Sequence, residues 1–257
     1  MTAAKPAPLM IGGKPVYSLS SYDPVEVEVV VPFTSDGEVE LALSRMVGDE
    51  GGTEESLKDT AWISKHFEGL RSADELRRVV RARLREMNEQ FAEGQKRDKC
   101  LLALSERLEQ SVPNDYVAMV RGNIRTSFEQ RAAANNMTMD QFIERGGVSA
   151  AEFDAMLDEQ ARQSAEIDAA LEAYVREKKV KANERDYPRL LGIDPEIAKV
   201  MFKQARAAGT FDQIERAALR GKAADEVVSE CRCTYHHESE AEAAERLKML
   251  REIMAQG

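Results

Sequence analysis

Apolar and polar residues alternate along the first patterned stretch of the chain. Val25, Val27, Val29 and Val31 are spaced by Glu26 and Glu28, and Val39, Leu41 and Leu43 by Glu40 and Ala42, with Ser35-Asp36-Gly37 between the two runs. A period of two around an Asp-Gly pair predicts a β-hairpin over 25–46, which needs a surface to pack on because two strands alone are marginal in water. Gly48 to Gly52 breaks the pattern. Upstream, residues 1–24 hold Pro6, Pro8, Pro15, Pro24 and the Gly12-Gly13 pair, and predict an irregular, partly disordered leader.

Beyond residue 53 the period changes to that of a helix. Leu76, Val79, Val80, Leu84, Met87, Phe91, Leu101, Leu102 and Leu108 form one stripe over roughly 73–110, a helix of about 55 Å at 1.5 Å per residue. Pro113 stops it and opens a second helix over 113–134 through Val117, Val120, Ile124 and Phe128. A short helix near 139–145 ends at Gly146-Gly147. A long one follows over 150–179 through Phe153, Met156, Leu157, Ile167, Leu171 and Val175. Asp194-Pro195 opens another to about Ala207 with Gly209 as its stop, and helices near 211–230 and 240–255 complete the chain. Ser or Thr precedes Glu or Gln by three residues at Ser72/Glu75, Thr138/Gln141, Ser149/Glu152, Thr210/Gln213 and Ser239/Glu242, each able to cap a helix start reciprocally. The expected fold is mainly α: long helices with arm-like helical hairpins and a small N-terminal β-hairpin. The expected divisions are 1–24 leader, 25–52 hairpin and linker, and 53–257 helical domain.

Composition narrows the function classes. Charged residues make up 32% of the 257 and aromatics 6%, as in long solvated helices, while 43% hydrophobic content suffices for a core. A net charge of −10 argues against nucleic acid and anionic membranes as partners, which require a positive surface. The arginines between Arg71 and Arg85 alternate with Asp74 and Glu75 and read as a solvated helix face. Three cysteines do not make a disulfide framework, and the N-terminus shows no apolar run of signal-peptide or membrane-span length, so a reducing cytoplasm is expected. Phosphate-binding glycine loops are absent, and no cofactor is implied.

The order of the helical pieces resembles the C-terminal, SurA-like peptide-binding chaperone domain of the trigger factor family. The likeness rests on Lys58-Asp-Thr-Ala-Trp-Ile-Ser-Lys-His-Phe-Glu before a long capped helix, Ser111-Val112-Pro113 between the first two arm helices, Met139-Asp140-Gln141-Phe142-Ile143, Ser149-Ala150-Ala151-Glu152-Phe153, Asp194-Pro195-Glu196 and Phe211-Asp212-Gln213-Ile214-Glu215. It spans roughly 55–237. Nothing matches the family's Gly-Phe-Arg-x-Gly ribosome-docking loop or its peptidyl-prolyl isomerase domain. The resemblance therefore implies a non-enzymatic, ATP-independent holder of unfolded or nascent polypeptides that lacks the usual ribosome-docking motif. A helical scaffold binding one folded partner, or self-associating, is the alternative.

Such a holder needs adaptable apolar surface among charges, and eleven methionines suit it. The candidate peptide-binding residues are Met119, Phe128, Met137, Met139, Phe142, Met156, Met201, Phe202 and Phe211, at helix ends or beyond the main stripes. No catalytic constellation is expected. Cys231, Cys233, His236 and His237 are the one metal-like group, but a Cys-x-Cys pair is a tight chelate and four ligands from seven consecutive residues would strain the backbone, so structural or simply exposed side chains are the preferred reading, and the resemblance implies an extended segment here.

Overall fold

The computed structural model describes residues 5–256, with side chains through Met249; the first four residues of the expected leader lie outside the described residues. Its elements in chain order are β1 (Leu9–Ile11), β2 (Lys14–Val16), β3 (Glu26–Val31), α1 (Asp36–Asp49), α2 (Thr60–His66), α3 (Ala73–Glu106), α4 (Asn114–Ala134), α5 (Met139–Arg145), α6 (Ala150–Lys178), α7 (Tyr187–Leu190), α8 (Pro195–Ala208), α9 (Phe211–Glu230), β4 (Arg232–His237) and α10 (Glu240–Gln256). The fold is mainly α with one small antiparallel hairpin. The chain clusters into two compact units, one comprising the residues up to Glu26 with Lys99–Arg232, the other Val27–Asp98 with the segment from Cys233 onward.

The hairpin is not where the alternation placed it. Residues 35–49 form a helix: Ser35 accepts from Glu38 N–H, and the Glu38 carboxylate accepts from Ser35 N–H, a complete capping box. Val39, Leu43 and Val47 at four-residue spacing are all buried on one helical face, whereas Leu41, two residues from Val39 and from Leu43, lies off that face and is half-buried, and exposed Arg45 breaks the alternation where a strand would continue it. The expected hairpin over 25–46 is therefore one strand followed by one helix. The strand, β3, pairs with β4. The flanking bonds Arg232 N–H to Val25 O and Glu238 N–H to Val31 O advance along both segments together, so the pairing is parallel.

The actual hairpin is β1–β2, inside the stretch expected to be irregular. Leu9 pairs with Val16, Met10 with Pro15 and Ile11 with Lys14. Gly12 and Gly13 form the two-residue turn with φ of +57° and +76°, the left-handed pair such a turn requires. The chain that follows is also ordered. Tyr17 and Leu19 are buried, Leu19 bridges to Leu108, and the Arg107 guanidinium donates to the carbonyls of Ser21, Asp23 and Pro24.

In the first unit α4 and α6 form a helical hairpin closed by α5. Contacts Tyr116–Asp168, Arg121–Asp158 and Phe128–Phe153 run in opposite chain directions, so the two helices are antiparallel. Ala161, Ala165, Ala169, Ala170 and Ala173 are all buried along α6, which packs against both α4 and α9. Small side chains allow that close approach. A second core joins α7, α8 and α9 through Tyr187, Ala198, Phe202 and Ala218. At Gly221 in α9 a Cβ would lie 2.6 Å from the Leu190 carbonyl oxygen. Alanine at this helical position would ordinarily stabilise by about 1 kcal/mol, but the backbone clash costs about 1–3 kcal/mol. Gly221→Ala is thus expected to lower the thermal midpoint, and an unchanged or raised midpoint by circular dichroism would show that α7 can retreat.

The second unit is organised on α1 and α3 as far as Asp98. Val39, Leu43 and Val47 pack against Leu76 and Val80, with Leu57, Trp62, Phe67 and Leu84 around them. Trp62 stacks on His66 at 4.5 Å and meets Phe67 edge-on at 5.9 Å.

Candidate functional site

The nine apolar candidates fall into three settings, all in the first unit. Phe128, Met137, Met139 and Phe142 are half-buried where α4, α5 and the start of α6 meet; the Phe128 ring lies 6.1 Å from Phe142 and 5.3 Å edge-on from Phe153. The Thr138/Gln141 and Ser149/Glu152 boxes set the starts of α5 and α6 and so fix this junction. Met201, Phe202 and Phe211 belong to the α7–α9 core, where Phe202 is only 7% exposed and offers no surface to a partner. Met119 and Met156 stand free on α4 and α6, 52% and 59% exposed. Around them Arg121 donates to Asp154 at 2.9 Å, and Arg125 to the same carboxylate at 3.4 Å, so apolar side chains are set among paired charges.

Residue type alone missed other exposed apolar side chains. Ile197 and Val200 project from α8 on the side away from Ala198 and Phe202. Leu9, Met10 and Ile11 of β1 are 66%, 56% and 60% exposed, three in succession. In the second unit, Met87 and Phe91 continue the Leu76-Val80-Leu84 stripe of α3 into solvent, beyond the residues that α1 covers. The signal for α8 was present in its sequence: Ile197, Ala198, Val200, Met201 and Phe202 give more apolar width than one buried face needs.

A polar node holds the helices that carry the first unit's surfaces. Asp168 of α6 accepts from the Tyr116 hydroxyl of α4 at 2.7 Å and from Arg220 of α9 at 3.2 Å, and Arg220 also reaches Glu172 at 2.9 Å. Burial, and then the hydrogen bond to Asp168, push the Tyr116 hydroxyl well above its ordinary pKa, so it stays a neutral donor. Tyr174 is pushed up to about 12 by burial and by the neighbouring Glu230 carboxylate, to which it donates at 3.3 Å. Beside this node the hairpin, α4, α6 and α9 enclose a cleft of about 500 Å³, with Met10, Tyr17, Pro113, Tyr116, Asp168 and Arg216 on its walls.

The Cys-His segment is extended, as the resemblance implies. Cys231 caps the end of α9, and Cys233, His236 and His237 lie in β4. His236 Nε2 is 3.2 Å from Glu242. Among the described residues no three metal-ligating side chains converge, here or elsewhere. Also among these residues, no helix is long and apolar enough to cross a membrane.

A comparison with curated protein sequences gives no significant match. The family comparison does: residues 72–229 match the model of the bacterial trigger factor protein C-terminus, from the capped start of α3 almost to the end of α9. The matching region contains the α4–α6 hairpin, the Asp168 node and the α7–α9 core, and covers more than half of the chain. It corresponds to the chaperone-type domain rather than the isomerase domain of that family. This chain belongs to the trigger factor C-terminal domain family.

Proposed function

We propose that the protein holds unfolded or nascent polypeptides without ATP and without proline isomerisation, releasing them to fold elsewhere. The observation that carries this reading is the family's chaperone-type domain bearing separate, solvent-facing apolar side chains, Met119, Met156, Ile197 and Val200, among charged residues. Scattered flexible apolar contacts bind many sequences weakly, because the client loses conformational entropy on docking and each contact returns only a fraction of it. The charges keep such a surface soluble, with Arg121 and Arg125 satisfied by Asp154 rather than left to attract one specific partner.

The test is suppression of aggregation of two unrelated, chemically unfolded proteins by the purified chain in the absence of nucleotide, with a proline isomerisation assay in parallel. Protection of both clients with no isomerisation is the expected result. Protection of neither, together with tight capture of a single folded protein, would replace the holder by a scaffold.

A further inference from the structure

Strand β1 presents an edge that the fold leaves open. In an antiparallel pair, opposed residues alternate between hydrogen-bonded and non-bonded sites. The Gly12-Gly13 turn makes Ile11 and Lys14 the bonded pair that closes it, so Met10 opposite Pro15 occupies a non-bonded site. Proline has no N–H in any case. The Met10 N–H and C=O therefore point away from β2, and among the described residues no backbone group outside the hairpin pairs with them. The two edges of the hairpin are thus unequal. Pro15 guards the β2 edge, the usual protection against strand addition, whereas β1 has no proline between Leu9 and Ile11 and no charged side chain.

Side chains complete the setting. Strand alternation places Met10 and Pro15 on one face and Leu9 and Ile11 on the other. The first face lines the 500 Å³ cleft with Tyr17, Pro113 and Tyr116. On the second, Leu9 and Ile11 are exposed, while opposite them on β2 Val16 is half-buried and Lys14 lies 3.9 Å from Asp212. A strand laid beside β1 would receive backbone hydrogen bonds at Met10 and find apolar neighbours on both of its own faces.

We propose that an extended, apolar segment of an unfolded client adds to β1 as a third strand, its alternate side chains entering the cleft beside Met10. This rests on the holder reading above and supplies its chemistry at one site: main-chain pairing that ignores sequence, joined to a preference for alternating apolar residues. A second copy of the chain is the other candidate for such an edge. Three residues of strand fall far short of the ~1,200 Å² that a stable interface buries, whereas a weak, quickly reversed contact is what a holder needs.

Met10→Pro in the full chain removes the outward N–H, and Leu9→Lys/Ile11→Lys sets charges along the edge without touching the backbone. Binding is read by fluorescence anisotropy of a labelled, extended apolar peptide and of an unfolded protein, and by hydrogen exchange at the Met10 amide, with folding checked by circular dichroism. Peptide affinity is expected to fall about fivefold to tenfold in either variant, the equivalent of one or two lost hydrogen bonds, and the Met10 amide of the wild-type chain is expected to slow in exchange when peptide is added. If the wild-type chain protects clients while its Met10 amide exchanges unchanged and both folded variants bind normally, the edge proposal falls and the holder reading stands. If the wild-type chain binds no client at all, the holder reading falls and the edge proposal with it. A dimer in sedimentation that both variants abolish would assign the edge to a second copy instead.

Discussion

Replacing Phe202 with alanine is expected to cost about 3–5 kcal/mol of folding stability, the largest single loss among the apolar candidates. Its ring packs 6.3 Å from Tyr187 and 5.8 Å from Phe211, and it closes the α7–α9 core with Ala198 and Ala218. Truncation would leave a cavity between three helices whose backbones are already close, as the fit at Gly221 shows, so collapse can recover little. The paired change Met119→Ser/Met156→Ser should do the reverse. It should leave stability within roughly 0.5 kcal/mol, since both side chains are largely in solvent, and weaken client protection. Urea unfolding and aggregation suppression measured on both proteins separate a core residue from a binding residue. If Phe202→Ala unfolded at the wild-type midpoint but lost client protection, Phe202 would belong to the binding surface after all.

These opposite expectations arise from residues that looked alike in the sequence. Helix positions were legible because their starts carry local chemistry: the Thr138, Ser149 and Ser239 caps all form with their partners three residues on, and Asp194 caps α8 just before Pro195. Ser72 makes only half of its box, because Glu75 accepts from Arg71 N–H instead. Thr210 makes none; its hydroxyl donates to the Ala205 carbonyl in the turn built on Gly209, whose φ is +71°. The α1 error has the same root. Ser35 and Glu38 formed a sixth box, hidden by the turn-like Asp36-Gly37 inside it, and the five residues 39–43 read as a strand until Arg45 interrupts the alternation and Val47 extends the four-residue spacing of Val39 and Leu43.

Exposure was less legible than helicity, for a different physical reason. A stripe records which face of a helix is apolar but not where its cover ends. Leu76, Val80, Leu84, Met87 and Phe91 are continuous in sequence, yet only the first three meet α1 and its neighbours. The hairpin at Leu9 to Val16 was obscured by Pro15 within it and Pro8 just before it, since proline signals a break in a central strand but is tolerated at an edge. The family resemblance located the helical part well because it rested largely on turns and caps; those from Ser111 to Glu215 lie within the matched residues 72–229, whereas the Lys58–Glu68 stretch that also carried it falls outside them.

Replacing Arg246 with alanine is the other change expected to have a large effect, and it should act locally on α10. The Arg246 guanidinium donates twice to Glu238, at 2.8 and 2.9 Å, once to Glu38 at 2.6 Å, and to the Phe33 carbonyl at 3.1 Å. One cation thus neutralises two carboxylates that are 9% and 18% exposed. Beyond this, the described side chains of α10 bury only Ala243 and Leu247, the latter seated against Gly37, where a Cβ would lie 2.7 Å from its methyl. Removing the guanidinium strands both carboxylates, at a cost of about 2–3 kcal/mol after allowing for their partial access to water. Arg246→Lys keeps the charge without the planar fork and should fall between. Acid should mimic the alanine variant. The Arg246 hydrogen bond, against burial, holds Glu238 below its ordinary pKa; Glu38 is raised by burial but lowered further by Arg246 and by the Ser35 N–H and hydroxyl. Carboxyls depressed in the folded state contribute fully above their unfolded value, near 4.3, and lose that contribution as pH falls through the folded value. Amide exchange along α10, taken relative to the intrinsic rate at each pH, should therefore quicken below about pH 4 in the wild-type chain. In Arg246→Ala it should be fast already at neutral pH and depend less on acid, the remaining dependence coming from Glu242, which its Ser239 bonds and then His236 lower to about 2. Exchange in α10 that is slow and equally acid-sensitive in both proteins would show that Leu247 and Ala243, not the ion pairs, hold the helix.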